Sequence, residues 1–279
     1  MERCYEIAGV RLRVVAPERW MNAEEGLLGQ FSVTGGYDRT LEFVVVDRLD
    51  GPAGILVYQD GGKQVFRLGA EQIRYEGNVA RGLDGAYLRI HRHGDYSLVQ
   101  VLAESIPYGI TSKLIQTAME AAHIVVGSRG FLLHASIVEY QGKAILFTAP
   151  SGTGKSTQAA LWQQLRGAQI LNGDRAAVRG GTVWSTPFCG SSGLAIHRNL
   201  PIAAIVYLSQ APRTTLRKLS GSAAFRKIWE GCSVNIWNDG DMERCTDAVS
   251  RTVLSVPVYH LECTPDESAV IAVEREVFS

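Results

Sequence analysis

The sequence predicts an α+β/α/β protein of two domains, in which a β-rich N-terminal domain precedes a domain of mixed strands and helices. Three observations support this prediction. Residues 1–108 contain short runs with partial alternation of apolar and polar residues, which is typical of strands. From residue 109 onward, strand-like runs alternate with segments in which apolar residues have helical spacing. A length of 279 residues also suits two domains better than one.

The N-terminal domain, residues 1–108, is predicted to be a series of antiparallel strands without a dependable helix. Its strand-like runs end at turn signals that contain glycine. These runs are "LEFVVVDR", "GILVYQDG", "KQVFRLG", "EQIRYEG", "AYLRIHR" and "YSLVQVLAE". His91 and His93 alternate along one run and would share a face of its strand. Without a third ligand in reach, however, the sequence does not favour a metal site there.

The C-terminal domain, residues 109–279, begins with a predicted helix in "GITSKLIQTAMEAAHIVVG", which Thr111 or Ser112 would cap. The next predicted elements are strand "FLLHASIVEY", a tight "QG" turn, strand "KAILFTA", a glycine-rich loop, a helix through Leu165, strand "AQILNGD" and a hairpin that turns on Gly180 and Gly181. The rest is predicted as strand "AAIVYLSQ", a mainly helical stretch over 221–254, strand "PVYHLEC" and a final helix.

The composition excludes some classes of protein. Lys and Arg number 28 and Asp and Glu also number 28, so the balance of charge does not favour binding to nucleic acid or to an anionic membrane. The first residues lack the apolar core of a secretory signal, and no apolar run reaches the roughly 18 residues that span a bilayer. The 5 cysteines form no C-x-x-C pair, which is typical of reduced thiols. We expect a cytoplasmic protein.

The glycine-rich loop "APSGTGKST", residues 149–157, follows a predicted strand and opens a predicted helix, which is the context that a phosphate-binding loop requires. It matches the pattern G-x-x-x-x-G-K-[ST] except at Ala149, where any small residue suffices. Its glycines let successive N–H groups turn toward phosphate oxygens, and the helix N-terminus adds partial positive charge. We expect the following residues to bind a nucleotide: Ser151, Gly152, Thr153, Gly154, Lys155, Ser156 and Thr157.

Lys155 and Asp174 are the charged residues expected to act on the phosphates of ATP. Lys155 would reach the β- and γ-phosphates, and the Ser156 hydroxyl would ligate Mg²⁺. Asp174 ends the run "QILNGD" and is the only acidic residue between the loop and the hairpin. A strand after the loop's helix is expected beside the loop strand, which would bring Asp174 to the same sheet edge. There it would bind Mg²⁺ or accept a proton; the alternative is an Asx-turn that opens the hairpin.

His134 lies inside the apolar strand "FLLHASIVEY", where a histidine is more often a satisfied core residue than a catalytic one. Taken with the loop and Asp174, however, residues 128–275 resemble the C-terminal domain of HPr kinase/phosphorylase. The resemblance lies in "LLHASIVEYQGKAILFTAPSGTGKST" and "ILNGDRAAVR" and is looser after residue 200. It implies a P-loop nucleotide-binding domain related to that of phosphoenolpyruvate carboxykinase. It also implies that His134 lies near the transferred phosphate and that Asp174 accepts the acceptor's proton or holds metal.

The sequence also departs from that family. Where the family has two consecutive aspartates, this chain has Gly173 and Asp174. The segment associated with the reverse, phosphorolytic reaction is not found, and the N-terminal domain does not resemble the family's regulatory domain. HPr is therefore a poor candidate for the substrate. Shorter relatives encoded with peptide natural-product clusters, some of which phosphorylate a serine of a modified peptide, are closer.

Other segments have both a functional and a structural interpretation. The loop "TPFCGSSG", residues 186–193, is either a cover for the γ-phosphate and the acceptor or a connection between strands. Cys189 within it is expected to be a packing residue. Arg175, Arg198 and Arg213 could stabilise phosphate charge, although a solvated surface position is the commoner role of such residues.

The segment "CTPDES" has a complete structural interpretation as a capping box. Thr264 would cap the last helix, Pro265 would take the first helical position, and Glu267 would return to the cap. We therefore assign this segment no chemistry.

These observations predict an ATP- and Mg²⁺-dependent kinase in which Lys155, Asp174 and His134 act at the transferred phosphate. The acceptor would be a hydroxyl of a peptide, a protein or a small molecule such as free serine. The alternative is a nucleotide-binding regulatory or assembly module that transfers nothing. The N-terminal domain would recognise the acceptor or form a subunit contact, and the resemblance leaves a homo-oligomer open.

Overall fold

The computed structural model describes residues 1–21, 24–77, 85–105 and 109–279. The chain divides into two compact units. Unit 1 contains Met1–Ile124 and Asn235–Asn238, and unit 2 contains Val125–Val234 and Asp239–Ser279. The domain boundary predicted at residue 108 lies outside the described residues, and the units divide later, after Ile124.

The described residues of unit 1 form an eight-stranded sheet with the order β1-β2-β3-β8-β7-β6-β5-β4. Its strands are β1 (Glu2–Ile7), β2 (Val10–Val15), β3 (Arg39–Val46), β4 (Ile55–Asp60), β5 (Lys63–Leu68), β6 (Glu71–Gly77), β7 (Ala86–His93) and β8 (Tyr96–Leu102). The strands from β4 to β8 form the antiparallel meander that the turn signals predict.

The prediction of an entirely antiparallel sheet is wrong for β3, which is parallel to both β2 and β8. A parallel pair needs a crossover connection rather than a hairpin. The chain between Val15 and Arg39 is long enough to supply one, and it includes the short helix α1 (Glu25–Leu28), in a region where no helix was expected.

Helix α2 (Ser112–Ala121) begins as predicted, because the Thr111 side chain accepts a hydrogen bond from Leu114 N at 3.3 Å. It ends earlier than predicted, since His123 has φ +59° and a left-handed residue cannot continue a right-handed helix. Gln72 in β6 donates to Ala121 O at 3.3 Å and bonds His123 Nε2 at 2.9 Å. These contacts join α2 to the sheet of unit 1, although the sequence placed it in the second domain.

Unit 2 contains a nine-stranded sheet, in which β9 is the central element. Its strands are β9 (Phe131–Tyr140), β10 (Lys143–Thr148), β11 (Gln169–Asn172), β12 (Arg175–Arg179), β13 (Thr182–Trp184), β14 (Leu200–Gln210), β15 (Thr215–Leu219), β16 (Cys232–Ser233) and β17 (Val258–Cys263). The start of β9 pairs with β12 and β16, and its end pairs with β10 and β11.

The helices of unit 2 pack on two apolar clusters. Residues of α4 (Lys155–Arg166) and α7 (Glu267–Phe278) pack in one cluster, which includes the fully buried Trp162. Residues of α5 (Gly221–Trp229) and α6 (Asp239–Ser255) pack in the other. The remaining short helix, α3 (Ile124–Gly127), contains the point at which the units divide. Within the described ranges, no helix is both long enough and apolar enough to cross a membrane.

The expectation that the strand after α4 lies beside the loop strand is wrong. β10 precedes the loop, and its neighbours are β9 and the parallel strand β14. Because β14 occupies the second edge of β10, β11 pairs with β9 instead. The predicted helical stretch over 221–254 is also interrupted, by β16 and by the segment between α5 and α6.

Candidate functional site

The loop between β10 and α4 has the backbone shape that its glycines predict. Gly152 has φ +78° and Gly154 has φ +121°, a region that residues with a side chain rarely adopt. Gly154 is also the N-cap position of α4. A twelve-residue helix therefore presents its N-terminus, with unpaired N–H groups and partial positive charge, directly after the loop.

Lys155 is buried, with 7% of its surface exposed. Its ammonium group donates to Ala149 O at 2.9 Å and to Pro150 O at 3.2 Å, so the side chain folds back over the loop. Burial lowers the pKa of Lys155 below its ordinary value, while the nearby charge of Asp174 acts to raise it and that of Arg175 acts to lower it. A bound phosphate could replace the two carbonyl oxygens as the partner of this ammonium group.

His134 lies where β9 changes its neighbours. It pairs with Arg175 of β12, and the next residue, Ala135, pairs with Thr148 at the end of β10. Thr148 also donates its hydroxyl to His134 O at 2.9 Å. These contacts place His134 beside the end of the strand that leads into the glycine loop, and His134 Nε2 lies 3.2 Å from Asp174 Oδ1.

The Asx-turn that opens the hairpin belongs to Asn172 and not to Asp174. Asn172 Oδ1 accepts hydrogen bonds from Asp174 N at 2.8 Å and from Arg175 N at 3.2 Å. The Asp174 carboxylate faces His134 and also lies 3.5 Å from Arg175 Nε. The turn is therefore made by a buried amide, and the carboxylate reaches the cavity beside the loop.

A cavity of about 530 Å³ brings together eight of the nine predicted site residues: His134, Ser151, Gly152, Gly154, Lys155, Ser156, Thr157 and Asp174. The ninth, Thr153, lines an adjoining cavity of about 620 Å³ that shares Gly152, Gly154 and Thr157 with the first. Residues from β9, from the loop and from the β11–β12 connection thus meet around one space at the N-terminus of α4.

The second cavity was not expected from the sequence, and its other walls come from the ends of β14 and β17. Leu208 and Gln210 lie at the end of β14, and Cys263 and Thr264 lie at the end of β17. These two strands are parallel to each other and to β10. Ligands of α/β sheets bind outside the carboxyl ends of parallel strands, so an assignment of strand directions would have located this cavity.

The capping box predicted in "CTPDES" is wrong. Asp266 is the N-cap of α7, and its side chain accepts from Ser268 N at 2.8 Å. Thr264 donates its hydroxyl to the Asp266 carboxylate. The cap therefore lies two residues later than predicted, and Thr264 and Pro265, which precede it, line the second cavity.

The loop Thr186–Gly193 packs directly against Asp174. A Cβ atom on Gly190 would lie 3.0 Å from Asp174 Cγ, and a Cβ atom on Gly173 would lie 2.9 Å from Ser192 Oγ. Ser192 therefore fills the space beside Gly173, where the resemblance would have placed a second aspartate. Cys189 is buried and lines the first cavity together with Ser192.

Of the three candidate arginines, Arg175 is the one that reaches Asp174. Arg198 forms an ion pair with Glu139 at 2.6 Å, and Arg213 is exposed between β14 and β15. Arg198 and Arg213 are absent from the lining of both cavities.

The donor set of the first cavity fits Mg²⁺. Mg²⁺ is commonly bound by one or two carboxylates together with water and substrate phosphates, rather than by a cage of protein ligands. Asp174 offers one carboxylate and Ser156 offers a hydroxyl on the same cavity. These two residues could therefore hold the ion in company with a nucleotide.

This chain is similar to one family of proteins and to solved structures. A family model described as SynChlorMet cassette protein ScmC matches residues 110–265, which is more than half of the chain. None of the curated proteins matches it. One solved structure that matches is the HPr(Ser) kinase/phosphatase from Coxiella burnetii, with 12% identity over 52% of this chain and 95% of that chain, at a TM-score of 0.27. A TM-score this low does not support any conclusion about the site.

Proposed function

This chain belongs to the ScmC family of SynChlorMet cassette proteins, and we propose that it is an ATP- and Mg²⁺-dependent kinase that phosphorylates a serine-type hydroxyl. The family description names no reaction, so the proposal depends on the site. The observation that supports it most directly is that His134, Lys155 and Asp174 line one cavity at the N-terminus of α4. These residues come from three separate segments, and each has a distinct use in phosphoryl transfer.

In this proposal, the nucleotide would extend through both cavities. The triphosphate would lie in the first cavity, where the loop, Lys155 and the α4 N-terminus offer positive charge and N–H donors. The nucleoside would lie in the second cavity, which shares Gly152, Gly154 and Thr157 with the first. The combined space of about 620 Å³ and 530 Å³ is ample for a ligand of this size.

Transfer would proceed by positioning and charge neutralisation. The acceptor oxygen bonds to the γ-phosphorus as the bond from that phosphorus to the β–γ bridging oxygen breaks, and ADP is the leaving group. Asp174 would take the acceptor's proton, with its carboxylate oriented by His134 and Arg175. Lys155 would neutralise charge on the β- and γ-phosphates. When bound to Ser156 and Asp174, Mg²⁺ supplies further neutralisation of phosphate charge.

The second candidate is a regulatory or assembly module that binds a nucleotide and transfers nothing. The observation that favours it is the Asp174 carboxylate, which lies near two cationic or potentially cationic groups, His134 and Arg175. An aspartate with these two contacts could have only a structural role. A kinase for free serine or another metabolite would share the chemistry of the first proposal and differ in its acceptor.

Transfer of γ-labelled phosphate from Mg-ATP tests the proposal. The full chain and its variants Lys155→Ala and Asp174→Asn would be incubated with serine-containing peptides and with free serine, and the products identified by mass spectrometry. Loss of a positioned general base typically costs about 10²–10⁴-fold, so Asp174→Asn should lose transfer by that factor and still bind ATP. Asp247→Asn, which changes an exposed aspartate that forms an ion pair with Arg251, is the matched control.

The outcomes separate the two candidates. A phosphorylated product that disappears in Lys155→Ala and Asp174→Asn but persists in Asp247→Asn supports the kinase and identifies its acceptor. Tight ATP binding without product from any acceptor supports the binding module. Transfer that continues unchanged in Asp174→Asn would refute the role given to that carboxylate.

A further inference from the structure

Three potential metal ligands meet on the sheet of unit 1, and none of them belongs to the proposed nucleotide site. Glu71 opens β6, and His91 and His93 lie near the end of β7. The two strands are antiparallel, with Ile73 opposite His91, so the same register places Glu71 opposite His93. Since side chains alternate along a strand, all three lie on one face of the sheet.

The side chains converge on the Glu71 carboxylate. His91 Nε2 lies 2.8 Å from Glu71 Oε2, and His93 Nδ1 lies 2.7 Å from Glu71 Oε1. The two imidazole rings have centroids 3.8 Å apart, and the three potential ligand atoms all lie within 4.8 Å of one another. Among the residues that the structure describes, this is the one group of three potential ligands whose ligand atoms lie that close together.

We propose that Glu71, His91 and His93 bind one divalent transition-metal ion of the Zn²⁺ type, with a water molecule completing the coordination. Two imidazole nitrogens and one carboxylate oxygen form a common ligand set for such an ion, and three protein ligands leave a position open. Sequence spacing alone could pair the histidines but could not supply the third ligand, because Glu71 is twenty residues away from His91.

The ion fits with a small adjustment of side chains. For tetrahedral bonds of about 2.0–2.2 Å, neighbouring ligand atoms lie roughly 3.3–3.5 Å apart. His91 and His93 now face different oxygens of Glu71, at 2.8 Å and 2.7 Å. Each ring must therefore turn toward the common ion and move away from its oxygen by roughly 0.5–0.8 Å, which rotation of the side chains can supply. Glu71 and His93 are more than one-third exposed, so an ion can reach them from solvent, whereas His91 is held at 14% exposure.

Binding rearranges two protons and involves no oxidation or reduction. Without the ion, each ring nitrogen that faces the ionised Glu71 carries a proton and donates it to a carboxylate oxygen. When the ion binds, the proton on each ring moves to the other ring nitrogen by exchange with water. The freed lone pairs of His91 Nε2 and His93 Nδ1 then form the metal bonds, and each imidazole remains neutral.

The nitrogen ligands distinguish this site from the one proposed for Mg²⁺. Mg²⁺ prefers oxygen ligands in octahedral geometry, whereas imidazole suits Zn²⁺, Co²⁺, Ni²⁺ and Cu²⁺. The proposed ion would crosslink β6 and β7 through residues that the phosphoryl-transfer chemistry does not use. It is therefore independent of the proposed function.

The test is metal binding by the tag-free chain of 279 residues. Zn²⁺ retained after dialysis would be measured by elemental analysis, and Co²⁺ bound in its place by its visible absorption. The variants are Glu71→Gln, which keeps a hydrogen-bond acceptor for the imidazoles, and the double variant His91→Gln/His93→Gln. The matched control is His197→Gln/His260→Gln, which removes two histidines of unit 2. Circular dichroism checks that each variant is folded.

We expect one Zn²⁺ per chain in wild type and in the control, and no comparable retention of Mg²⁺. Since loss of a second-shell partner already weakens metal binding by about 10–100-fold, loss of a ligand should weaken Zn²⁺ binding at least 100-fold. The proposal is overturned if wild type retains no Zn²⁺, or if both Glu71→Gln and the double histidine variant still bind it. Thiolate charge-transfer bands in the Co²⁺ spectrum would also overturn it, since they would assign the ion to cysteines.

Discussion

The Asp174 carboxylate is held from three sides. His134 Nε2 and Arg175 Nε approach its oxygens at 3.2 Å and 3.5 Å, and the loop Thr186–Gly193 presents Gly190 against its Cγ atom. The exposed fraction of its side chain is 27%, so part of the carboxylate still faces the cavity. In the proposed reaction, its action as a base would depend on this position, because a displacement of about 1 Å can reduce a reaction rate by about 10²-fold.

Gly190→Ala should therefore reduce phosphoryl transfer by about 10–100-fold while ATP binding changes less than about twofold. The new Cβ atom would lie 3.0 Å from Asp174 Cγ and force one of the two groups to move. Steady-state kinetics and equilibrium ATP binding would measure the two effects separately.

Gly193→Ala is the control for this substitution. Gly193 has φ +64° and Gly190 has φ +54°, so both variants carry comparable backbone strain, but a Cβ atom on Gly193 would have nothing within 4 Å. Equal losses in the two variants would show that strain in the loop, and not contact with Asp174, is responsible.

As the pH rises, the affinity for ATP should begin to fall at a lower pH than it would if the phosphates were bound by a lysine with an ordinary pKa. Burial lowers the pKa of Lys155, and the ammonium group is charged only below that pKa. As the pH rises through the lowered value, the charge that is proposed to bind the phosphates is lost, so binding should weaken. An exposed lysine would keep its charge until about pH 10.4. Titration calorimetry with a non-hydrolysable ATP analogue between about pH 7 and pH 10 measures the change.

Lys155→Arg provides the comparison, because a guanidinium group stays protonated throughout this range. Its affinity should be nearly constant with pH over the interval in which that of wild type declines. If the two proteins lose affinity in parallel, the titrating group is not Lys155.

At the scale of elements, β9 determines where the site lies. Its first residues pair with β12 and β16, and its later residues pair with β10 and β11. The pairing with β12 ends at His134, and the pairing with β10 begins at Ala135. Ala135 N also donates to Asp174 O at 3.0 Å, which joins the β11–β12 connection to the same part of β9. The imidazole, the carboxylate and the loop therefore converge although none is adjacent to another in sequence.

Asn172→Ala should weaken both stability and transfer. Asn172 is 2% exposed and forms three hydrogen bonds, to Asp174 N, to Arg175 N and to Thr186 O. Leaving these buried groups unpaired should reduce the free energy of unfolding by about 1–3 kcal/mol. Transfer should fall as well, since the turn that directs Asp174 is lost. Urea unfolding and the transfer assay measure the two effects.

Asn199→Ala is the matched control, because Asn199 also accepts two hydrogen bonds, from Ser185 N at 2.8 Å and from Ser185 Oγ at 3.0 Å. It is exposed and does not line the cavity, so transfer should be retained. A comparable loss of transfer in Asn199→Ala would mean that general destabilisation explains the effect of Asn172→Ala.

The elements themselves were largely predictable from local patterns. The strand–loop–helix at β10 and α4, the hairpin on Gly180 and Gly181, and the Thr111 cap follow from glycine positions and from capping chemistry. The errors arose where two local signals competed. Asp266 is a better N-cap than Thr264, and the left-handed His123 ends α2 within a sequence that keeps helical spacing.

At the scale of the whole molecule, a nucleotide that binds only the folded chain should stabilise it. At a concentration one hundred times its Kd, Mg-ATP should add about 2.7 kcal/mol to the free energy of unfolding. Thermal unfolding monitored by fluorescence, with and without Mg-ATP, would show this as a rise in the melting temperature. Both the kinase and the binding module require this result.

Lys155→Ala should lose most of that stabilisation, since its phosphate partner is gone, whereas Asp174→Asn should keep it if Mg²⁺ remains bound through Ser156 and phosphate oxygens. Chelation of Mg²⁺ should reduce the effect in wild type. An unchanged melting temperature in wild type at millimolar Mg-ATP would contradict both candidate functions.

The amino-acid sequence by itself determined the β-rich start, the mixed strands and helices that follow, and the loop "APSGTGKST" with its strand and helix, because these depend on neighbours within a few residues. The tertiary structure alone decided which distant residues meet. In the tertiary structure, β11 pairs with β9 rather than β10, and the Asx-turn is formed by Asn172. A second cavity lies at the ends of β14 and β17, and Glu71 lies close to His91 and His93. Strand partners are chosen by side-chain packing across the whole sheet, and local sequence does not encode that choice.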